Sequence, residues 1–439
     1  MKTCIKNVFL LPVLTAAVGL ILAGRGTAQT FTTLHSFNQD TDGNHPNGLL
    51  LSSNTLYGTA TYGGSSPYYG MVFAVNTDGT GFTNLHSFTF SDGSDPVGGL
   101  ILSGIALYGV TEDGGSANNG RVFKVNTDST GFTNLYSFAA TSCASCPNSD
   151  GASSEANLLL SGNTLYGVTG YGGCGGNGTV FALSTNGMGF TTLYSFTGPP
   201  WNGSPSPITN TDGAHPEAGL VLSGSTLYGT AEYGSSSGNG TVFAVNTDGT
   251  GFTNLYSFTA LFGPHPQTNS DGACPSAGSG LFLSGNTLYG TAENGGSSGN
   301  GTVFAVNTDG TGFTTLYNFT ATSITPFGVY TNSDGANPAA GLILSGNTLY
   351  GTAQYGGSSS VGTVFSLSLP VPPKLTIIRS GANVILTWPT NATGFTLLTT
   401  TNLVSPVWIT NSPLPVIVNG QNIVTNAISG TQKFYRLSQ

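Results

Sequence analysis

The sequence predicts an all-β chain: a six-bladed β-propeller of four-stranded blades, followed by a small C-terminal β-sandwich. Three observations predict it. Charged residues make up only 6% of the 439 residues and Gly occurs 66 times, against roughly 25% charged and about 7% Gly in an ordinary soluble domain. So little Lys, Glu and Arg removes the usual helix formers, and so much Gly penalises helix interiors. Hydrophobic residues reach 38% and aromatics 10%, enough to build a core. Finally, four short patterns recur in fixed order six times, and internal repetition at such a period dictates architecture before any single motif does.

The chain opens with features of a secretory signal peptide over residues 1–28. Lys2 and Lys6 form a basic start, an apolar run follows from Val8 to Ala23, and Gly26, Thr27 and Ala28 supply small residues where a signal peptidase reads. The apolar run is shorter than the ~20 residues of a spanning helix. The expectation is an exported chain, secreted or held at the cell surface, with no transmembrane segment after cleavage. An exported chain permits disulfides, and Cys143, Cys146, Cys174 and Cys274 are the candidates. Cys143 and Cys146 have C-x-x-C spacing, but no second such pair or thioredoxin-like pattern accompanies them.

Residues 29–369 hold the repeats. The first pattern, Gly-Leu-x-Leu-Ser, has its first Leu at Leu49, Leu100, Leu158, Leu220, Leu281 and Leu342, with Asn157 in place of the Gly once. The second, Leu-Tyr-Gly, places Tyr57, Tyr108, Tyr166, Tyr228, Tyr289 and Tyr350. The third, Val-Phe, places Phe73, Phe123, Phe181, Phe243, Phe304 and Phe365. The fourth, Phe-Thr-x-Leu-x-x-Phe, starts at Phe31, Phe82, Phe132, Phe190, Phe252 and Phe313. All are short, apolar or aromatic, and bounded by turn residues, so each reads as a strand. Val242 to Val245 is apolar at consecutive positions, as in a strand covered on both faces. Four such strands per unit, at a kelch-like period, describe a propeller blade. The first copy of the fourth pattern precedes the first unit, and the sixth unit has none after its third. The N-terminal strand Phe31 to Phe37 is therefore expected to complete the last blade and hide its edge.

Only the connection from a fourth strand to the next first strand varies in length, roughly doubling between the early and late repeats. Loops carry function on a rigid scaffold, so the face with these loops is the candidate binding face. Each loop contains Ser/Thr-Asp-Gly, with Asp42, Asp92, Asp150, Asp212, Asp271 and Asp334. These read as structural turn residues, each capping its own loop while Gly takes the special backbone angle. Calcium is the rival reading, with Asp40 and Asp42 the weak candidates; calcium needs six to eight converging oxygens, and the downstream Glu of an EF-hand loop is missing.

Directly after the second strands come Tyr62, Glu112, Tyr171, Glu232, Tyr233, Glu293 and Tyr355. Tyr offers an apolar face with a polar tip, and carboxylates add hydrogen bonds, a pairing suited to a sugar ring. These seven are the candidate ligand-binding residues. No catalytic residue is assigned. His35, His45, His86, His215 and His265 show no metal-ligand spacing, and no nucleophile elbow precedes a helix. Glu232 with Glu293 is the one pair considered for glycoside cleavage. A formal charge of -9 with pI near 4.7 argues against a nucleic-acid partner.

Residues 370–373 form a Pro-rich linker. Residues 374–439 carry Lys374, Arg379, Lys433 and Arg436 with no acidic residue, and alternating runs with Trp388 at their centre suit an immunoglobulin- or fibronectin-III-like module.

The units reading Leu-Ser-Gly-Asn-Thr-Leu-Tyr-Gly-Thr-Ala, then Tyr-Gly-Gly, then Gly-Thr-Val-Phe-Ala-Val-Asn-Thr-Asp-Gly-Thr-Gly-Phe resemble the GloVer tandem repeat of bacterial choice-of-anchor proteins over about residues 31–369. The resemblance implies export and a repeat architecture; it brings no activity and no catalytic residues. The final segment resembles fibronectin-like C-terminal modules of secreted bacterial proteins. The resulting expectation is a monomeric, exported binding or adhesion protein for glycan or another envelope component, needing no cofactor unless calcium. The alternatives are a polysaccharide hydrolase or lyase, and a purely structural envelope protein.

Overall fold

The computed structural model describes residues 32–38, 42–65, 68–140, 148–198, 209–275, 280–325, 330–369, 373–390, 395–404, 406–429 and 432–438. The leader, Cys143, Cys146 and Asp40 lie outside them. Among the described residues every regular element is a β-strand, and no helix is long and apolar enough to cross a membrane.

The fourth repeat shows the unit. Val221–Ser223, Thr226–Ala231, Thr241–Asn246 and Thr253–Ser257 pair antiparallel in chain order. The second and third strands are in register with Gly229 opposite Phe243. That pairing explains the Gly of Leu-Tyr-Gly, because a Cβ at Gly229 would run into the Phe243 ring. The pairing of third with fourth strand is interrupted between Val242 and Phe243, and at the equivalent place in the other four complete repeats. Such bulges increase the local twist of a sheet. The third strand is buried from Thr241 to Val245, so both its faces are covered, as its unbroken apolar run requires.

Cover comes from the neighbouring repeats. Five apolar clusters join repeats one to two, two to three, three to four, four to five and five to six. In the first four, an aromatic of the fourth strand lies flat on the next repeat's Phe; Tyr194 on Phe252 is at 3.6 Å and Tyr256 on Phe313 at 3.5 Å. Backbones also approach closely between repeats. Gly178, at φ 97°, meets Pro216 of the next repeat with no room for a Cβ.

The two ends of the array differ from its middle. Residues 32–38 lie in no ladder. They nevertheless pack on the first repeat as a fourth strand packs on its successor: His35 stacks on Phe82 at 3.8 Å, and Phe37 meets Phe73 edge-on at 5.1 Å. At the other end, Ile343–Ser345, Thr348–Ala353 and Thr363–Ser368 form a sheet of three strands only. Val364 there is 81% exposed, whereas its counterparts Val72, Val122, Val180, Val242 and Val303 are fully buried. The expected pairing of the N-terminal strand with the sixth repeat is thus not formed here, and an edge without its partner exposes the side chains that partner would cover.

After the repeats, one sheet runs Thr376–Ser380, Asn383–Pro389, Gln421–Ala427, Val416–Val418, and a second runs Ile409–Thr410, Thr396–Thr400, Phe434–Ser438. Leu386, Trp388, Leu397 and Val424, drawn from both sheets, form one core, with Trp388 only 1% exposed.

Candidate functional site

At one end of each sheet the first strand is split, and a short upper piece pairs separately with the end of the second strand. In the first and fifth repeats this piece is a strand, Asn44–Pro46 and Ala273–Pro275. In the others it is a single bridge: Ser94 with Asp113, Ala152 with Tyr171, Ala214 with Tyr233, and Ala336 with Tyr355.

The residue after each bridging position is His45, Asp95, Ser153, His215, Cys274 or Asn337, and all six sit in the left-handed region at φ 52–56°. Non-Gly residues rarely adopt it, and such outliers cluster at functional sites. The backbone holds them there. The carbonyls of Asp95, Ser153, His215 and Asn337 accept from the amides of Glu112, Gly170, Glu232 and Gln354 at 2.9–3.0 Å. Five of these six residues donate their own amide to a carbonyl of the preceding repeat: Asp95 to Tyr69, Ser153 to Asn119, His215 to Asn177, Cys274 to Asn239 and Asn337 to Asn300. Main-chain bonds therefore fix the position and leave the side chain free to vary. In repeats that are otherwise almost copies, this is where they differ.

The acidic residues divide by role. The loop aspartates accept from the end of the preceding fourth strand: Asp212 takes the Tyr194 hydroxyl at 2.8 Å, the Thr197 amide at 2.8 Å and the Thr197 hydroxyl at 2.7 Å. Asp150, Asp271 and Asp334 take Tyr136, Tyr256 and Tyr317 in the same way, while Asp42 and Asp92 face His35 and His86. These carboxylates close the loop at its base, from its far end, and do not form the local Asx-turn expected of them. Asx-turns do occur at Asp78, Asp128, Asp248 and Asp309, each accepting the amide two residues on at 2.9–3.0 Å. The hydroxyl of the same Thr, and then that amide, hold the carboxyls below the usual range.

Seven acids remain among the described residues, including every glutamate of the chain: Asp95, Glu112, Asp113, Glu155, Glu217, Glu232 and Glu293. They come from the second to fifth repeats, and each lies within electrostatic reach of at least one other. Burial, then Glu217, Glu112 and Asp113, push Glu155 up to about 8. Burial and then Glu217, which is hydrogen-bonded to it, push Glu232 up. Burial raises Glu112, Asp95, Asp113 and Glu293 as well. Tyr171 stands among four of them, raised to about 12 by burial and then by Glu217, Glu155, Glu232 and Glu112. Tyr233 is raised by burial and by its hydrogen bond to Glu232. Between the two tyrosines lies the ring of His215, 4.5 Å from Tyr171 and 5.6 Å from Tyr233, with Nδ1 3.7 Å from Glu217 Oε1. The repeats contain only two Lys or Arg side chains, and Arg121 faces Asp92 rather than this group.

Of the residues expected from sequence, Glu112, Tyr171, Glu232, Tyr233 and Glu293 come together. Tyr62 and Tyr355, in the end repeats, are about half exposed; Tyr62 packs edge-on against His45 at 5.4 Å. Glu155, Glu217 and His215 belong to the group and were not anticipated, since they lie in the loops of variable length. Asp42 is engaged by His35 at 2.6 Å and by the Asn38 amide at 2.7 Å, and no metal-ligating group of three or more is found among the described residues. Cys174 and Cys274 carry free thiols rather than bonding to each other; burial, then Glu232, pushes Cys274 up to about 12.

The Gloeobacter/Verrucomicrobia repeat model matches residues 19–209 and 265–382. The chain belongs to that family. This places the resemblance read from the repeated motifs on a match over most of the chain, and with it the repeat architecture. No curated protein matches. Among solved structures the chain is similar to a putative 6-phosphogluconolactonase of Bacteroides uniformis, at 17% identity and TM-score 0.40, over 85% of this chain and 100% of that one. It is similar to a gluconolactonase of Xanthomonas campestris, at 14% and 0.39, over 77% and 88%. It also resembles the GH74 enzyme of Niastella koreensis, at 15% and 0.42, over 77% of this chain and 49% of that one. Likeness this distant carries no activity across.

Proposed function

We propose that this repeat protein is an exported, non-catalytic binding protein whose inner acidic mouth takes a hydroxyl-rich ligand such as a glycan. The observation that supports it is the gathering of all five glutamates, with Tyr171, Tyr233 and His215, at one end of successive sheets. The fold does not need them there. Burying carboxyls beside one another costs stability, and such expense is characteristic of functional sites. Carboxyls that keep a proton near neutral pH both donate and accept, which suits sugar hydroxyls, and tyrosine rings offer faces for the sugar plane.

Binding is preferred to hydrolysis because Glu217 raises Glu232 through its charge and a hydrogen bond, an arrangement in which the two share a proton rather than face each other across a scissile bond as a glycosidase's two carboxyls do. In the full reading the six repeats close into a ring, with residues 31–37 as the missing fourth strand of the sixth blade. Two incomplete ends support this: a segment already packed like a fourth strand, and an edge exposing Val364. The C-terminal sheets then form a fibronectin-III-like module outside the ring.

A glycan array with the mature chain tests the reading. Binding that is lost in Glu232→Ala and Glu293→Ala, with no release of reducing ends, is the expected result. Release of reducing ends that disappears in Glu155→Gln would move the protein to the hydrolases, and an array with no ligand at all would leave a structural envelope role.

A further inference from the structure

Past Asp334 the chain has no acidic residue, while Lys374, Arg379, Lys433 and Arg436 all follow the repeats. The same module leaves large aliphatic side chains in water. Leu403 is 53% exposed, Val404 94%, Val407 75%, Ile409 60%, Leu414 71% and Ile417 69%. They lie along the stretch that leaves the strand Thr396–Thr400, passes through the edge strand Ile409–Thr410 of that sheet and ends in the edge strand Val416–Val418 of the other. Within this stretch the Trp408 ring lies under the Arg436 guanidinium, 4.4 Å from it. Just before the strand that carries Arg436, Lys433 approaches the Tyr435 ring at 5.5 Å.

We infer that this edge of the C-terminal module is a docking surface for an anionic phospholipid bilayer. Neither half of the pattern alone selects that occupant. Exposed aliphatics mark an interaction site of some kind. A charge set with one sign attracts any anionic surface. Exposed aliphatics and an amphipathic Trp with an Arg guanidinium over it, on a module whose charged side chains are all basic, match the layered chemistry of a bilayer interface: apolar chains below, indole at the headgroup level, cations against anionic headgroups. A glycan would leave the aliphatics unmatched, and the acidic repeats of the same chain would leave them against polar loops. The inference is independent of what the acidic mouth binds.

The test is co-sedimentation of the full mature chain with phosphatidylglycerol vesicles and with phosphatidylcholine vesicles. Binding is expected to the anionic vesicles only, to fall at least about tenfold between low salt and about 0.5 M salt, and to fall severalfold in the double variant Val404→Ser, Val407→Ser, which leaves charge unchanged on already exposed positions. Arg436→Gln is expected to weaken it further. No binding, equal binding to both vesicles, or full binding by the serine variant would each overturn the inference.

Discussion

The Glu232 carboxyl, at the end of a strand in the fourth repeat, is hydrogen-bonded to the carboxyl of Glu217, in the loop that enters the same repeat. Two acids can share such a bond only while one keeps its proton, so the pair reports how this mouth responds to pH.

The first prediction concerns that response. Glu155 is pushed up to about 8, and Glu112, Glu232 and Glu293 are raised. The folded state therefore binds protons more tightly than the unfolded chain, and stability falls as pH rises through the folded-state values. His86 acts oppositely, because burial lowers it, and its effect is confined to acid pH. Thermal unfolding followed by circular dichroism is expected to give a lower melting temperature at pH 8.5 than at pH 6.5. A flat or rising trend would contradict it.

Loop closure at the base is the second. Asp212 is buried, 3% exposed, and serves the Tyr194 hydroxyl and both groups of Thr197. Asp212→Ala strands those donors and is expected to cost about 1–3 kcal/mol, and Tyr194→Phe about 1 kcal/mol. Urea unfolding measures both, and Asp212→Ala should be the more damaging.

Third, the Leu-Tyr-Gly glycines make room for a ring across the ladder. Gly229→Ala drives a methyl into Phe243 and is expected to cost about 1–3 kcal/mol by overpacking. Gly224→Ala gives the comparison, since nothing lies near its missing Cβ; its penalty comes from the φ of 59° alone.

Ring closure is the fourth. The complete fifth repeat pairs Thr302 with Asn318 and Val303 with Tyr317. Transferred to the sixth, that register pairs Thr363 with Ser36 and Val364 with His35. A Ser36→Cys, Thr363→Cys chain is expected to form that disulfide within one molecule. Links between molecules would indicate head-to-tail assembly, and removal of residues 29–38 without change in melting temperature would contradict closure.

How far the sequence reached follows from what repeats. Tyr57, Phe73 and their copies recur at fixed steps, so strand order and the number of repeats could be read from spacing alone. Asp212 and its copies were equally visible, but their partners, such as Tyr194, lie in the preceding strand, so their role was read as local. His215, Glu155 and Glu217 were hidden for the opposite reason. A site built from positions that differ between copies leaves no periodic trace, and only the folded backbone, with its six left-handed residues, aligns them. The exposed edge at Val364 was hidden as well, because it falls at the end of the array, where the period stops.

The most direct measurement is the stability of Glu217→Gln, Glu232→Gln beside its ligand binding. If these glutamates are kept for a ligand at the expense of the fold, the double variant melts higher than the natural chain at pH 8.5 and loses binding. A variant that melts lower would show that the pair holds the structure together, and the mouth would lose its standing as a binding site.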